Sequence, residues 1–321
     1  MQLSVADGGP EGGVNYSGEP DGRLSTRYRK RMTIIITGGS GDLGQRLCPD
    51  LIQLGYIPQV LDLLPPKTPD IAFEPVSILD REELNQAFLE GCRMVVHIAA
   101  WHGIHEYRGE HDAYDFWDLN VTGTFNVFEA AARAKIKNIV FISSTSVDEQ
   151  NGLYGHTKVL GEQIAATYAS RHKMNVIILR PRAFIPPWNK TVYKDYIEWA
   201  RWFWSGAVHV DDVSQAVCKS VEKLSSGQDL DGPLTLVVDG AYEYDDEELA
   251  NWDAEGPGTT FMRHYPQYYN LALENGLYPA EKPHKLDISK TKSAIGYQPR
   301  FSLGSLLEEL ERWGKDGPPP P

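Results

Sequence analysis

The stretch Thr33-Ile34-Ile35-Ile36-Thr37-Gly38-Gly39-Ser40-Gly41-Asp42-Leu43-Gly44 decides the fold. A β-branched run enters a glycine-rich turn, and the amphipathic residues 45–54 that follow have the pattern of a helix. Glycines in such a turn let the backbone approach a pyrophosphate, whose charge is stabilised by the N-terminus of the helix. We therefore predict that these residues begin a dinucleotide-binding crossover unit.

Further β-rich runs alternate with amphipathic segments along the chain. The clear runs are residues 58–63, 94–99, 138–143 and 176–179, and weaker ones occupy 207–210 and 234–238. Such alternation is typical of a parallel sheet covered by helices on both faces. We expect an α/β fold of the Rossmann type, a doubly wound parallel sheet with a smaller, irregular C-terminal lobe.

The expected domain boundaries follow from these runs and from composition. Residues 1–31 are rich in glycine and polar residues, which predicts a flexible leader. Residues 32–181 form the dinucleotide-binding domain, and 182–312 form mainly a substrate-binding lobe with segments that return to the core. Residues 313–321 end in four prolines and are expected to be a frayed tail.

Composition and charge exclude several classes of protein. Hydrophobic residues make up 41% and charged residues 23%, which are ordinary values for a globular chain. The net charge of −13 disfavours binding to nucleic acid. We find neither an apolar run long enough to span a membrane nor a secretory signal, so we expect a cytoplasmic protein without a membrane partner. Cys48, Cys92 and Cys218 lack metal or disulfide spacing, which predicts three buried thiols in a reducing compartment.

Asp62 closes the second β-rich run, eighteen residues after Gly44. A carboxylate at this place accepts hydrogen bonds from the adenosine ribose hydroxyls and repels a 2′-phosphate. Leu63, Leu64 and Pro65 follow without an arginine, so the sequence favours NAD over NADP.

Tyr154 and Lys158 are spaced so that both side chains lie on one face of a predicted helix. Such a pair alone is more typical of a solvated helix face. However, Ser144 follows the run 138–143, and ligands of open parallel sheets bind where strands end. A neighbouring ammonium and an oxidised nicotinamide would both lower the pKa of a tyrosine, so Tyr154 could transfer protons.

These motifs together resemble the extended short-chain dehydrogenases/reductases of the NAD-dependent epimerase/dehydratase family. The resemblance extends over residues 33–312. It rests on Thr37 to Gly44, Asp62, His97 to Ala100, Asn120 to Thr124, Ser143-Ser144, Tyr154 with Lys158, Leu179-Arg180-Pro181, His209 to Val213 and Asp287 to Lys290.

The resemblance implies a role for each matching residue. Tyr154 would be the general acid/base, Lys158 would hold the nicotinamide ribose and tune Tyr154, and Ser144 would polarise the substrate. It also implies a homodimer that pairs residues 121–134 and 155–171 across a two-fold axis. The expected cofactor-binding residues are Gly38, Ser40, Gly41, Asp42, Leu43, Gly44, Asp62, Ser77, Ile78, Ala99, Ala100, Tyr154, Lys158 and Arg180.

Some positions depart from the family pattern. Ser77 stands where the family often has an acidic residue beside adenine, and Ala183 stands where an asparagine is common. The segments between Ser144 and Tyr154 and between Arg182 and His209 are short for a nucleotide-sugar pocket, so a smaller substrate is plausible. The substrate-contact candidates are Trp101, His102, His105, Ser144, Thr145, Arg182 and Trp188.

His102, His105 and His111 lie in one loop, a pattern that could indicate a metal site. Glu106 and Glu110 lie nearby, but the sequence shows no partners that would orient the histidine rings toward a metal. We therefore expect no metal and favour contact between His102 or His105 and the substrate.

The sequence thus supports an NAD-dependent enzyme that oxidises or reduces a secondary alcohol of a sugar or sugar-derived substrate, either as an epimerase or with net turnover. One alternative is a net dehydrogenase of a small sugar acid or another non-nucleotide alcohol. A non-catalytic dinucleotide-sensing regulator is an alternative of another class, and the presence of both Tyr154 and Lys158 argues against it.

Overall fold

The computed structural model describes residues 32–88, 91–149 and 152–320. In this part of the chain a 7-stranded parallel sheet has the order β3-β2-β1-β4-β5-β6-β7. The strands are β1 Thr33–Thr37, β2 Ile57–Asp62, β3 Ala72–Pro75, β4 Met94–His97, β5 Asn138–Ile142, β6 Asn175–Pro181 and β7 Leu234–Val238. The strand order reverses between β1 and β4, and ligands of doubly wound folds bind at such a switch point. The predicted Rossmann-type fold is confirmed.

Helices connect and cover the strands. In chain order they are α1 Asp42–Gln53, α2 Arg81–Ala87, α3 Gly103–Arg108, α4 Ala113–Phe116, α5 Thr124–Arg133, α6 Ser146–Glu149, α7 Gly152–His172, α8 Tyr196–Trp204, α9 Val210–Ser225, α10 Asp246–Glu255, α11 Thr259–His264, α12 Tyr269–Glu274, α13 Ser289–Ile295 and α14 Leu303–Trp313. A π-helix, Trp117–Gly123, joins α4 to α5. None of the described helices is both long and apolar enough to cross a bilayer.

Three apolar clusters form the core. One packs α1 and α9 against one face of the sheet, and a second packs α5 and α7 against the other face. The isoleucines of β1 are fully buried between them, as expected for a strand covered on both faces. The third cluster holds the aromatic side chains of the C-terminal lobe, including Tyr196, Trp199 and Phe203 of α8. Large apolar side chains therefore fill the lobe as well as the sheet.

Gly38, Gly39 and Gly44, around the turn between β1 and α1, have no room for a side chain. Gly38 has a φ of 72°, a region that disfavours other residues. A Cβ on Gly44 would come within 2.1 Å of the carbonyl oxygen of Gly39. The first turn of α1 therefore lies directly against the backbone of the turn, with its N–H groups at the edge of the sheet where β1 ends.

The structure corrects some local predictions. Residues 207–210 do not form a strand, because Val210 begins α9 and His209 caps that helix. The short edge strand β3 was not predicted, since Ala72–Pro75 carries little β signal. Cys48 and Cys218 are buried, but Cys92 is only half-buried. The C-terminal helix continues to Trp313, within the expected tail, and the predicted leader lies outside the described residues.

Candidate active site

A cleft of about 480 Å³ lies along the carboxyl ends of the strands at the switch point. The glycine turn, the end of β2 and the segment after β4 form one side. The opposite wall is formed by Phe184, Ile185, Asn189, Thr191 and Val192. Of the expected cofactor residues, the lining includes Gly38, Ser40, Gly41, Asp42, Leu43, Asp62, Ser77, Ile78, Ala99 and Ala100. Gly44 lies just behind them in α1.

Asp62 is held against the glycine turn by backbone donors. Its Oδ2 accepts a hydrogen bond from the Ser40 N–H at 3.0 Å, and its Oδ1 accepts one from the Leu63 N–H at 2.7 Å. Each carboxylate oxygen can accept a further hydrogen bond, so Asp62 retains capacity for the two hydroxyls of a ribose. The free acceptor capacity of Asp62 and the narrow glycine turn therefore fit the adenosine half of NAD.

Ser144, Tyr154 and Lys158 come together beside this cleft. Ser144 follows β5 and is buried, while Tyr154 and Lys158 lie in the first two turns of α7. The Nζ of Lys158 donates to the Ile142 carbonyl at 2.9 Å and lies 5.8 Å from the centre of the Tyr154 ring. The three side chains therefore form one cluster between β5 and α7.

Burial controls the protonation of this group. It raises the pKa of the Tyr154 hydroxyl to about 12, while a hydrogen bond with Ser144 acts in the opposite direction. Burial also lowers the pKa of the Lys158 ammonium to about 7, against the attraction of Glu162. Tyr154 is therefore a neutral donor in the unliganded protein, and a positive charge brought into the cleft would favour its phenolate.

Asn120, in the π-helix, ties the segment after β4 to the helix that carries Tyr154. Its Oδ1 accepts from the Trp101 N–H at 2.8 Å, and its Nδ2 donates to the Trp101 carbonyl and to the Thr157 hydroxyl, both at 3.0 Å. π-helical turns are frequent at functional sites. Here the π-helical turn places the buried Asn120 amide between Trp101, after β4, and Thr157, in α7.

The histidine loop forms an aromatic wall of the cleft. Trp101, His102 and His105 line the cleft, and His111 stacks on Trp101 with ring centres 3.6 Å apart. Burial, followed by the nearby Lys158, lowers the pKa of His102 to about 3, so its ring is neutral. Within the described ranges, no group of three or more His, Cys, Asp or Glu residues could hold a metal ion.

Three expected contact residues lie elsewhere in the structure. Arg180 pairs with Glu162 and Asp148 instead of reaching the cofactor cleft. Arg182 is 9% exposed, and its guanidinium bonds to Asp239, the Tyr242 hydroxyl and the His284 carbonyl.

Trp188 packs against the core cluster of α1 and α9. Internal contacts thus engage Arg180, Arg182 and Trp188, and their contact with cofactor or substrate stays a prediction. Thr145 is half-buried beside Ser144, and its N–H donates to the Pro181 carbonyl at 3.1 Å.

The opposite wall of the cleft was not predicted from the sequence. Asn189 Nδ2 donates to Asp42 Oδ2 at 2.7 Å, and the Arg108 guanidinium donates to the carbonyls of Thr191 and Val192 at 2.9 and 3.2 Å. Burial raises the pKa of the Asp42 carboxyl, and the bond from Asn189 opposes this shift. These contacts join segments that are far apart in the chain, so no pattern of neighbouring residues predicts them.

The fold and the cluster of Ser144, Tyr154 and Lys158 together are those of an extended short-chain dehydrogenase/reductase. The model of the NAD dependent epimerase/dehydratase family matches residues 34–201. That is more than half of the chain, and the protein therefore belongs to this family.

Individual relatives are more distant. An uncharacterized protein, y4nG, of Sinorhizobium fredii (strain NBRC 101917 / NGR234) is 28% identical over 323 residues, which cover 88% of this chain and 78% of the relative. UDP-glucose 4-epimerase of Bacillus subtilis (strain 168) is 31% identical over 179 residues, or 46% of this chain and 52% of that enzyme. The match thus spans about half the length of the epimerase.

Solved structures share the fold. MoeE5 in complex with UDP-glucuronic acid and NAD has a TM-score of 0.63 at 19% identity, over 86% of this chain and 96% of that one. UDP-N-acetylglucosamine 4-epimerase from Bacillus cereus has a TM-score of 0.63 at 22% identity, over 89% and 99% of the two chains. These likenesses concern the architecture alone.

Lys158→Met should flatten the pH dependence of stability above neutral pH. The pKa of Lys158 falls from 10.5 to about 7 on folding, so the unfolded chain binds more protons between these values. The wild type therefore gains stability as the pH rises through this window and loses that gain as the pH falls toward 7.

Urea unfolding of the cofactor-free proteins from about pH 7 to about pH 9 measures this effect. The other titrating groups are the same in the wild type and in Lys158→Met, so their contributions cancel in the comparison. The unfolding free energy of the wild type should therefore increase relative to that of Lys158→Met as the pH rises. A difference that stays constant would contradict the assigned pKa of Lys158.

Proposed function

We propose that this enzyme uses NAD to oxidise or reduce a secondary alcohol on a sugar or sugar-derived substrate, with Tyr154 moving the hydroxyl proton. The observation that carries the proposal is the convergence of Ser144, Tyr154 and Lys158 beside a cleft whose glycine turn and Asp62 fit a dinucleotide. Bound NAD would supply the hydride-transfer chemistry.

The chain's own groups have distinct parts in this proposal. The Ser144 hydroxyl donates to the reacting oxygen of the substrate and orients it. The Tyr154 hydroxyl exchanges its proton with that oxygen as general acid or base. The Lys158 ammonium stabilises the Tyr154 phenolate. The neutral ring of His102, in the aromatic wall of the cleft, helps to exclude water.

The choice of substrate remains between two chemical classes. UDP-glucose 4-epimerases among the relatives favour a nucleotide sugar. A smaller sugar acid or another non-nucleotide alcohol is the second class. Lys67 and Arg108 are the cations among the described residues that line the cleft, and Arg108 is already engaged by Glu110 at 3.6 Å and by the carbonyls of Thr191 and Val192.

An assay with NAD⁺ separates the two classes. Purified protein is incubated with UDP-glucose, UDP-glucuronic acid, glucuronic acid or galacturonic acid, and both NADH absorbance and sugar products are followed. Net NADH from a free sugar acid identifies a dehydrogenase, and interconversion of UDP-sugars without net NADH identifies an epimerase. Binding of NAD⁺ without any turnover on a broad panel of sugars would favour the regulator instead.

Tyr154→Phe should lower turnover by about 10² to 10⁴, the usual contribution of a positioned proton-transfer group. The ring and its packing are kept, so NADH affinity should change little. Steady-state kinetics and NADH titration measure the two effects, with Tyr107→Phe as the control because Tyr107 is 88% exposed. Full turnover by a folded Tyr154→Phe protein would refute the proposed mechanism.

Asp62 should make the protein prefer NADH to NADPH by about 1 kcal/mol or more, the scale of one charge-assisted hydrogen bond. Fluorescence titration with each dinucleotide measures the preference. Asp62→Asn removes the charge that repels a 2′-phosphate and should narrow the gap. Equal affinities for the two dinucleotides in the wild type would remove Asp62 from this role.

A homodimer is proposed from the family resemblance, with pairing through α5 and α7. Phe125 of α5 is 42% exposed, which leaves an apolar contact available on this surface. Light scattering at micromolar concentration should give twice the chain mass of 36.0 kDa. A mass of one chain would contradict the dimer. The cytoplasmic location and the division at residues 181 and 312 stay predictions.

A further inference from the structure

Glu106, in the short helix α3, binds the start of the helix that carries Tyr154. Its Oε1 accepts from the Leu153 N–H at 2.6 Å, and its Oε2 accepts from the Tyr154 N–H at 2.8 Å. The first N–H groups of a helix have no partner within the helix and need an outside acceptor. Glu106 supplies that acceptor from a position 47 residues earlier than Leu153.

The surroundings of Glu106 fit this contact closely. Gly152 has a φ of 87°, and a Cβ there would lie 3.1 Å from each carboxylate oxygen of Glu106. Gly103, the first residue of α3, lies against the Tyr154 ring, since a Cβ there would be 3.3 Å from Cδ1 of Tyr154. The helix α3 therefore holds both the backbone and the ring of Tyr154.

Lys158 is fixed independently of Glu106. It lies one turn deeper in α7, where its Nζ donates to the Ile142 carbonyl. Thr157 beside it is held by Asn120. Loss of the Glu106 carboxylate would therefore loosen the first turn of α7, with Tyr154, while the next turn keeps its own contacts. The N–H groups of Leu153 and Tyr154 thus have their acceptor in Glu106, while the Tyr154 carbonyl accepts from the Thr157 hydroxyl at 2.8 Å.

We propose that Glu106 is a positioning residue, which sets the distance of the Tyr154 hydroxyl from Ser144 and Lys158 by holding the first turn of α7. This inference rests on the proposed role of Tyr154 as acid/base. His105 of α3 lines the cleft. The helix α3 would therefore both contact a molecule in the cleft and position Tyr154.

Glu106→Gln tests the proposal with little change of shape. The amide keeps one acceptor oxygen but turns an NH₂ group toward the second backbone N–H. In the NAD⁺-loaded protein, hydrogen exchange of the Leu153 and Tyr154 amides should become about tenfold faster or more, while that of Lys158 stays unchanged. The control is Tyr107→Gln, an exposed position in the same helix.

Kinetics test the functional part, with the sugar that turns over in the assay above. Glu106→Gln should lower kcat by between about 10- and 100-fold, a scale typical of a misplaced reacting group, with KM and NADH affinity within about twofold. In a Tyr154→Phe background the same change should cause no further loss, because Glu106 acts through the Tyr154 hydroxyl.

The outcomes separate this inference from the proposed function. Unchanged exchange at Leu153 and Tyr154, a rise in KM with kcat unchanged, or an equal loss in the Tyr154→Phe background would each overturn the role of Glu106. Failure of Glu106→Gln to fold would also overturn it, since the carboxylate would then be needed for folding itself. Full turnover of Tyr154→Phe alone would instead refute the acid/base role of Tyr154.

Discussion

A series of buried hydrogen bonds that joins β1, β4 and α5, from Thr37 through His97 to Thr124, is the interaction on which the site depends. His97 Nδ1 meets the Thr37 hydroxyl at 2.7 Å, and Nε2 meets the Thr124 hydroxyl at 3.0 Å. Burial lowers the pKa of His97 to about 3, so the ring stays neutral and can donate from one nitrogen while accepting at the other. Thr124 in turn donates to the carbonyl of Asn120 at 2.6 Å. The series of hydrogen bonds thereby aligns the ends of β1 and β4, where the glycine turn and the aromatic wall begin.

The parts of the fold that could be predicted are those with local signals. The isoleucines of β1 and the glycine turn after Thr37 specify a strand and a turn within twelve residues. The spacing of Tyr154 and Lys158 follows from helix geometry in the same way. Contacts between distant segments have no such signal, which is why the bond between Asn189 and Asp42 was missed.

Residue type alone does not show whether a side chain is already paired within the protein. Arg180 lies near the end of β6 and Arg182 directly follows that strand, and ligand contact is predicted for both from the sequence. Each guanidinium instead pairs with carboxylates of the protein, Arg180 with Glu162 and Arg182 with Asp239. A buried cation must be paired, and the sequence does not reveal whether the partner is a ligand or the chain itself.

The wall formed by residues 184–192 has a thermodynamic consequence. Asn189 attaches it to the glycine turn, and Arg108 attaches it to α3, so a molecule that fills the cleft touches segments separated by about 150 residues of chain. The bound molecule then contacts both the sheet and the C-terminal lobe. Saturating the cleft with this molecule therefore stabilises both parts against thermal unfolding. Occupancy of the cleft thus couples the melting of the lobe to that of the sheet.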